Sequence, residues 1–378
     1  MEIQNRFSIL GSLAADDVES SWAKLSSAIV SGGKSVIGLK RRAKQPWLSD
    51  ETYDVLAKKG AARNCGLVVE RRRLQGIFNA KAKLDRDAFY NKLADEAEAG
   101  LHQNSLRPAY RAIKAIAGKK GNSAPVPVKK LDGSACSSAS EILSRWQEHF
   151  ESALNFPQAI PCSALGDLAE ATPSNPTVDT CPPSLEEIYV AVRKLKNGRA
   201  AGLDGISPEL LKYAIDPISS GLHTLFLKVW QTGKILADWR DNVIVALFKG
   251  KGSKTECGSY RPISLLSVPG KVLAHVLLNR FNPLLTEDRC PQQSGFTAGR
   301  STADAILALR LLLELHSEFK RPLYVAYVDL KSAFDSVYRT ALWLALKGVG
   351  VPDVILRLIQ DLHTDSGVRV RVGPDLSE

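Results

Sequence analysis

Residues 324–337 read YVAYVDLKSAFDSV. Tyr324, Val325, Tyr327 and Val328 form a run of strand-favouring residues. Asp329 stands where that run ends, and a helical pattern starts from Ala333. A carboxylate at the end of a buried strand is costly unless something compensates it. Metal binding is one answer, and capping the helix that follows is the other. The rest of the chain has to separate the two.

Composition narrows the partners. The chain has 378 residues and a net charge of +10, with 44% apolar and 24% charged residues. It can therefore bury cores, and two or three domains fit its length. The excess charge points to a polyanion, nucleic acid first. It is also local. Residues 1–130 hold 24 Lys and Arg against 13 Asp and Glu, whereas 131–185 hold only Arg145 against seven acids. The simplest division is a basic arm over 1–130, a short helix with a Pro-rich acidic linker over 131–183, and a C-terminal domain over 184–378. The six cysteines are scattered, with neither a C-x-x-C pair nor zinc spacing. Reduced thiols and an intracellular setting, nuclear or cytoplasmic, follow. The start has no basic segment leading into an apolar one, and no apolar run is long enough to span a membrane.

Helical spacing appears first at Val18, Trp22, Leu25 and Ile29. A basic loop follows, and Ser49 is placed to cap a helix from about Asp50. The charged helical pattern then runs to Leu101, and Gly60, Gly66 and Gly76 weaken it enough for two helices. Arg71, Arg72, Arg73, Lys81, Lys83 and Arg86 lie on it. They make either a phosphate-tracking surface or a solvated helix face. A third helix covers 108–117. Residues 140–154 are amphipathic, with Ile142, Leu143, Trp146, Phe150 and Leu154. The C-terminal domain opens on a capping box, Ser184 to Glu187. Next come a glycine-rich turn over 199–205 and a helix start at Ser207 and Pro208. The text of 243–266 reads as a hairpin with cations at its tip. Long helices over 268–285 and 301–316, the strand at 324–328, helices near 339–347 and 352–363 and a strand over 368–372 complete an α+β pattern.

Phosphoryl transfer from a nucleoside triphosphate needs in-line geometry and charge neutralisation. Usually two Mg²⁺ ions roughly 3.5–4 Å apart and Lys or Arg supply it. Asp329 with the cations Lys249 and Arg261 suits that chemistry, and a planar guanidinium suits phosphate well. Each residue also has a plain reading. Asp329 serves as a helix cap, Arg261 as a structural ion pair, Lys249 as a solvated loop charge and Phe334 as core. Asp335 reads as structural, and Gly295 and Gly299 as backbone geometry. Gly202, Asp204 and Gly205 shape a turn, with Asp204 bonding its own backbone.

Four blocks in order sharpen this: NGRAAGLDGISPELLK (197–212), LFKGKGSKTECGSYRPISLL (247–266), QSGFTAGRST (293–302) and YVAYVDLKSAFDSV. Together they resemble the first blocks of a non-LTR retrotransposon (LINE-type) reverse transcriptase. The resemblance covers about residues 184–372, and the arm with KQPWLSDET is more weakly similar to the segment that precedes such polymerases. It implies a right-hand polymerase, with fingers from about 186 to 320 and an incomplete palm from about 321, preceded by a helical basic arm. By motif, Asp329 resembles the first metal-binding aspartate, and Leu330 would give a backbone carbonyl to Mg²⁺. Ser332 and Ala333 would sit under the triphosphate, with Phe334 as the steric gate against a ribose 2′-OH. Lys249 and Arg261 resemble the cations on the incoming dNTP. Gln293, Gly295, Phe296 and Arg300 resemble the block beside the template. Polymerases that make RNA on RNA carry a second aspartate five positions beyond the first, where this chain has Phe334. Deoxynucleotides are therefore the expected substrates, with an RNA template and a DNA primer or target.

The family's later palm blocks, including its paired aspartates, do not follow Val337 in this sequence. Asp353, Asp361, Asp365 and Asp375 are isolated. The leading expectation is thus a fragment of an RNA-directed DNA polymerase that is inactive alone. The alternative is a catalytically dead module that binds RNA or DNA, and a domesticated scaffold or an untranslated relic is the third reading. An incomplete palm would also leave apolar surface uncovered, which predicts marginal solubility.

Overall fold

A computed structural model describes residues 17–36, 45–102, 106–117, 127–155, 178–287, 289–330 and 332–377. Residues 40–44 of the basic loop, the glycine-lysine stretch at 118–121 and linker residues 157–177 lie outside the described residues. The chain divides into two compact units, one of residues 39–124 and one of 1–38 together with 125–378.

Helix α1 (Val18–Val36) belongs to the larger unit. The sequence groups this helix with the basic arm of residues 1–130. In the structure its apolar stripe, Trp22, Leu25 and Ile29, is buried in the larger unit's core. The Trp22 indole stands edge-on to Trp239 at 5.5 Å and donates to Asp238 Oδ2 at 2.7 Å.

The smaller unit is helical. Helix α2 (Asp50–Asn64) starts at Ser49, whose hydroxyl accepts from the Thr52 amide as the sequence predicts. The Ser49 amide and hydroxyl both donate to Asp85 Oδ2 at 2.8 Å, which ties the cap to helix α3 (Val68–His102). Of the three glycines, only Gly66 breaks the helix. It sits at φ +69 between α2 and α3, where a side chain would be strained. Helix α4 (Arg107–Ile116) packs back on α3.

The larger unit holds two apolar clusters. Helix α5 (Ala139–Leu154) lays Ile142, Trp146 and Phe150 on one face of the sheet, against Ile244, Tyr260, Val370 and Val372. The second cluster is built from α1, α6 (Leu185–Lys194), α7 (Pro208–Tyr213), α8 (Ile215–Thr232) and the short α9 (Ala237–Arg240). Helices α10 (Val268–Glu287) and α13 (Asp353–Leu362) add to it. The sheet has β1 (Asn242–Phe248), β2 (Tyr260–Leu266), β3 (Val368–Val372) and β4 (Asp375–Leu376) in the order β2-β1-β3-β4. β1 and β2 form the expected antiparallel hairpin, with Phe248 opposite Tyr260, and β3 runs parallel to β1. Mixed helix and strand agrees with the α+β expectation.

Two elements differ from the sequence reading. Residues 321–330 form no strand, and Tyr324, Tyr327 and Val328 are each more than four-fifths exposed. In an extended segment Tyr324 and Val328 would fall on one face and Val325 and Tyr327 on the other, the pattern of a strand covered on both sides. Both edges of β1 are already occupied by β2 and β3, and no described element covers 324–328. The helix expected from Ala333 is a single turn, held by the Asp335 and Ser336 amides on the Ser332 carbonyl, each at 2.9 Å. Ser332 has φ +51, a left-handed conformation that stops a helix from propagating through it. Helices α11 (Thr302–Glu318) and α12 (Arg339–Gly348) flank this segment, and α11 starts at the predicted Ser301/Asp304 capping box.

Arg280 of α10 joins the helical cluster to the chain that enters it. Its guanidinium makes a bidentate pair with Glu187, Nε to Oε1 at 2.7 Å and Nη2 to Oε2 at 2.8 Å. It also donates to the carbonyls of Asp179 and Cys181 and lies 5.1 Å from the Trp230 ring centre. Only 4% of its side chain is exposed. Glu187 is at the same time the third residue of the α6 capping box. Removing one partner of a buried pair leaves an uncompensated charge, so Arg280→Ala is expected to cost roughly 3 kcal/mol in chemical denaturation. Burial raises the Glu187 carboxyl, but Arg280 and the Ser184 amide outweigh it, so the net shift is downward. A depressed carboxyl stabilises the fold above its unfolded value of about 4.3 and loses that contribution as pH falls through its lower folded value. Acid unfolding of Glu187→Gln should therefore be flatter with pH below about 4.3 than that of the parent chain.

The glycine-rich turn packs on the end of the hairpin. Asp204 Oδ1 accepts from the Ile206 amide at 3.0 Å, the local bond expected of it, while Oδ2 accepts from the Ser267 hydroxyl at 2.7 Å. A Cβ on Gly202 would stand 2.7 Å from Ser267 N and 2.8 Å from Leu266 C. Gly202→Ala should lower the melting stability by about 1–3 kcal/mol, because backbone atoms have to move.

Candidate nucleotide and nucleic-acid site

The β1–β2 hairpin sets the cations. Side chains alternate along a strand, and Arg261 pairs with Leu247 across the ladder. Arg261 therefore belongs to the outer face, with exposed Leu247 and Ile263, and Lys249 follows the end of β1 at the hairpin tip. Phe248 and Tyr260 take the opposite face and meet at 5.3 Å, and Tyr260 stands edge-on to Trp146 at 4.9 Å. The aromatic face anchors the hairpin and leaves the cationic face to solvent. The tip is held locally. Lys249 Nζ donates to the Gly258 carbonyl at 2.7 Å, the Tyr260 hydroxyl donates to the Lys254 carbonyl at 2.8 Å, and Lys254 lies over Phe248. Burial lowers the His149 pKa, and Arg145 and Lys249 push the same way. The imidazole is then neutral at pH 7 and adds no charge to the group.

The block at 293–300 is a compact turn. Gln293 Nε2 donates to the Gly295 carbonyl at 3.1 Å, and the Thr297 hydroxyl donates to the Gln293 carbonyl at 2.8 Å. Arg289 Nη1 reaches the Phe296 carbonyl at 3.4 Å and Thr297 Oγ1 at 3.2 Å. Phe296 has φ +58 and projects its ring into solvent, 87% exposed. There it meets Phe334 edge to face at 5.8 Å. This ring pair joins the third sequence block to the fourth.

Asp329, Leu330, Ser332, Ala333 and Phe334 lie together in an exposed stretch. Among the described residues, no hydrogen bond, ion pair or ring contact connects them to Lys249 or Arg261. Nor does any group of three His, Cys, Asp or Glu suited to a metal occur among them. Among the described residues the donor set does not fit a Mg²⁺ pair, since Asp329 belongs to no cluster of three possible ligands. Arg300 is exposed at the end of the third block. On α3, Lys81 is taken by Glu51 at 2.6 Å and Arg73 lies 3.6 Å from Glu70. Arg71, Arg72 and Lys83 are exposed and have no ion pair among the described residues.

Sequence reasoning missed Arg289 and Arg280. Neither stands in a recognisable spacing, and their roles come from chain segments brought together by folding. It also missed that Asp204 bridges to Ser267, which lies 63 positions away.

Comparison with known proteins supports the resemblance. Residues 249–372 match the family Reverse transcriptase (RNA-dependent DNA polymerase). A 115 kDa protein in the type-1 retrotransposable element R1DM of Drosophila melanogaster is 34% identical over 186 residues, 48% of this chain and 18% of that protein. The Retrovirus-related Pol polyprotein from the type-1 retrotransposable element R1 of Bradysia coprophila is 27% identical over 283 residues, 73% of this chain and 26% of that protein. The RNA-directed DNA polymerase from mobile element jockey of D. melanogaster is 27% identical over 176 residues, 46% of this chain and 19% of that protein. The chain thus spans about a quarter or less of the length of these relatives. The similarity to non-LTR retrotransposon polymerases read from the four blocks is borne out.

Arg289 bonds from outside to the turn at 293–300, through the Phe296 carbonyl and Thr297 Oγ1. Arg289→Ala should speed amide exchange across 293–300 by about tenfold, since a hydrogen bond from a charged donor contributes ~1.5–3 kcal/mol. The hairpin amides should be unaffected.

Proposed function

We propose that residues 184–378 are part of an RNA-directed DNA polymerase of the non-LTR retrotransposon kind, with fingers over about 186–320 and the start of a palm near 321. The observation that supports this best is the family match over 249–372. That segment contains Lys249, Arg261, the 293–300 block and Asp329 to Phe334 in order. In this reading Lys249 and Arg261 neutralise the triphosphate of an incoming dNTP. Ser332 and Ala333 lie under it, and the Phe334 ring excludes a 2′-hydroxyl. Gln293, Gly295, Phe296 and Arg300 adjoin the template. Asp329 and the Leu330 carbonyl are the contribution of these residues to metal binding.

Two divalent ions would supply the charge neutralisation of the transferred phosphoryl group. These residues do not assemble such a site, so polymerisation requires carboxylates from outside them. The surface agrees. Helix α11 exposes Ile306, Leu307, Leu311, Leu312, Leu313 and Leu315, and a helix with large apolar residues over most of its circumference belongs in an interior. We read α11 and 324–334 as the inner face of a palm whose cover lies in other parts of a longer polypeptide. Primer extension on an RNA template with Mg²⁺ and dNTPs should give no product with the 378-residue chain. Robust synthesis would sink this part of the reading. Lys249→Ala and Arg261→Ala should each weaken dNTP binding by about tenfold in equilibrium dialysis, as expected for a lost charge-assisted contact. Unchanged binding in both would remove the hairpin from the nucleotide site.

The second reading, a module that binds RNA or DNA without polymerising, is favoured by Arg71, Arg72 and Lys83. Exposed cations without ion pairs on a 35-residue helix suit a phosphate backbone. Replacing these three by alanine should reduce the slope of log affinity against log salt for single-stranded RNA by about 2. Leaving Lys81 and Arg73 in place keeps their ion pairs with Glu51 and Glu70 intact.

A further inference from the structure

Helix α4 is turned inside out. Its small residues Pro108, Ala109 and Ala112 are its most covered positions, with Ala112 buried. Its large apolar residues face solvent: Leu106 is 58% exposed, Tyr110 68%, Ile113 61% and Ile116 62%. At 3.6 residues per turn, Leu106, Tyr110, Ile113 and Ala117 fall on one line along the helix. Arg107, Arg111 and Lys114 fall on the adjoining edge. Arg111 is paired with Glu96 of α3. Arg107 and Lys114, two turns apart and exposed, have no ion pair among the described residues. The result is an apolar stripe bordered on one side by unneutralised positive charge.

We propose that this stripe is a docking surface for an acidic amphipathic helix of another protein. The occupant lays its apolar side along Leu106, Tyr110 and Ile113 and sets acidic residues against Arg107 and Lys114. Charge selects this occupant. A second copy of the chain packed antiparallel would set two cationic edges side by side, and packed parallel it would leave both without acidic partners. Single-stranded nucleic acid would use the cations, but Leu106, Ile113 and Ile116 offer no plane for a base to stack on, and only Tyr110 does. Helix-in-groove recognition through residues spaced three and four apart uses aliphatic anchors of this kind, with charges at the edge fixing orientation.

The test uses the full chain and a labelled synthetic peptide of three heptads, with Leu at the two apolar positions and Glu at the flanking ones. Fluorescence anisotropy should show saturable binding that weakens with salt, while the matched peptide with Lys in place of Glu should bind at least tenfold more weakly. Tyr110→Ser with Ile113→Ser should reduce affinity for the Glu peptide at least tenfold. Arg107→Glu with Lys114→Glu should do the same and should create binding to the Lys peptide. All four positions are exposed, and circular dichroism melting checks that the variants fold. Equal binding of the two peptides, no binding of the Glu peptide, or binding indifferent to both double variants would overturn the proposal. It would also fall if the apolar variant abolished a sedimenting dimer, binding to single-stranded RNA, or binding to phosphatidylserine vesicles.

Discussion

The larger unit depends on one buried cation. Arg280 receives the chain at Asp179 and Cys181, holds the first turn of α6 through Glu187, and lies over Trp230 of α8. Three helices and an entering strand of backbone converge on a side chain that is 4% exposed. A lysine could not replace it. The bidentate pair needs a planar fork, and the remaining guanidinium nitrogen bonds two backbone carbonyls of the entering chain. The pair is partly buried, so its net worth is modest, while the penalty for removing one half is large. That asymmetry specifies the arrangement more than it stabilises it.

From that fixed helical cluster the hairpin follows. Asp204 and Ser267 lock the glycine-rich turn onto the end of β2, and Gly202 permits the close approach. On the other side, Trp146 and Phe150 of α5 pack under Tyr260 and Ile244. The hairpin is clamped at its base and along one face, so Arg261 holds a fixed ladder register opposite Leu247, and Lys249 follows directly on the end of β1. A cationic site built on a strand is placed more accurately than one built on a loop.

Local chemistry made much of this legible. The capping boxes at Ser184 and Ser301 and the Ser49 cap depend on residues a few positions apart. Sequence patterns report such contacts directly. Arg280, Arg289 and the Asp204–Ser267 bond were not legible, because their partners are brought close only by folding. Helix α1 reads correctly as amphipathic, but the destination of its apolar face, Trp239 and the α8 helix, lies some two hundred positions away. The candidate site was legible as a list of residues and not as a constellation. Four blocks in order resemble the polymerase pattern, whereas among the described candidate residues the contact that joins two different blocks is the Phe296–Phe334 ring pair.

The failure of 324–328 to form a strand is the most informative departure. Tyr324, Val325, Tyr327 and Val328 have strong strand preference, yet β propensity expresses the fit to a covered, pleated surface and is not a property of isolated backbone. Without a neighbouring strand the segment makes no ladder, and its carboxylate at Asp329 stays in water, where it costs nothing. Pairing 324–328 into a sheet would bury Asp329 at the strand end and make the carboxylate expensive unless a cation met it. Strand formation and cation binding at this position are therefore coupled. Each removes the penalty of the other, so in the polymerase reading proposed above a surface that completed the strand would also have to compensate Asp329.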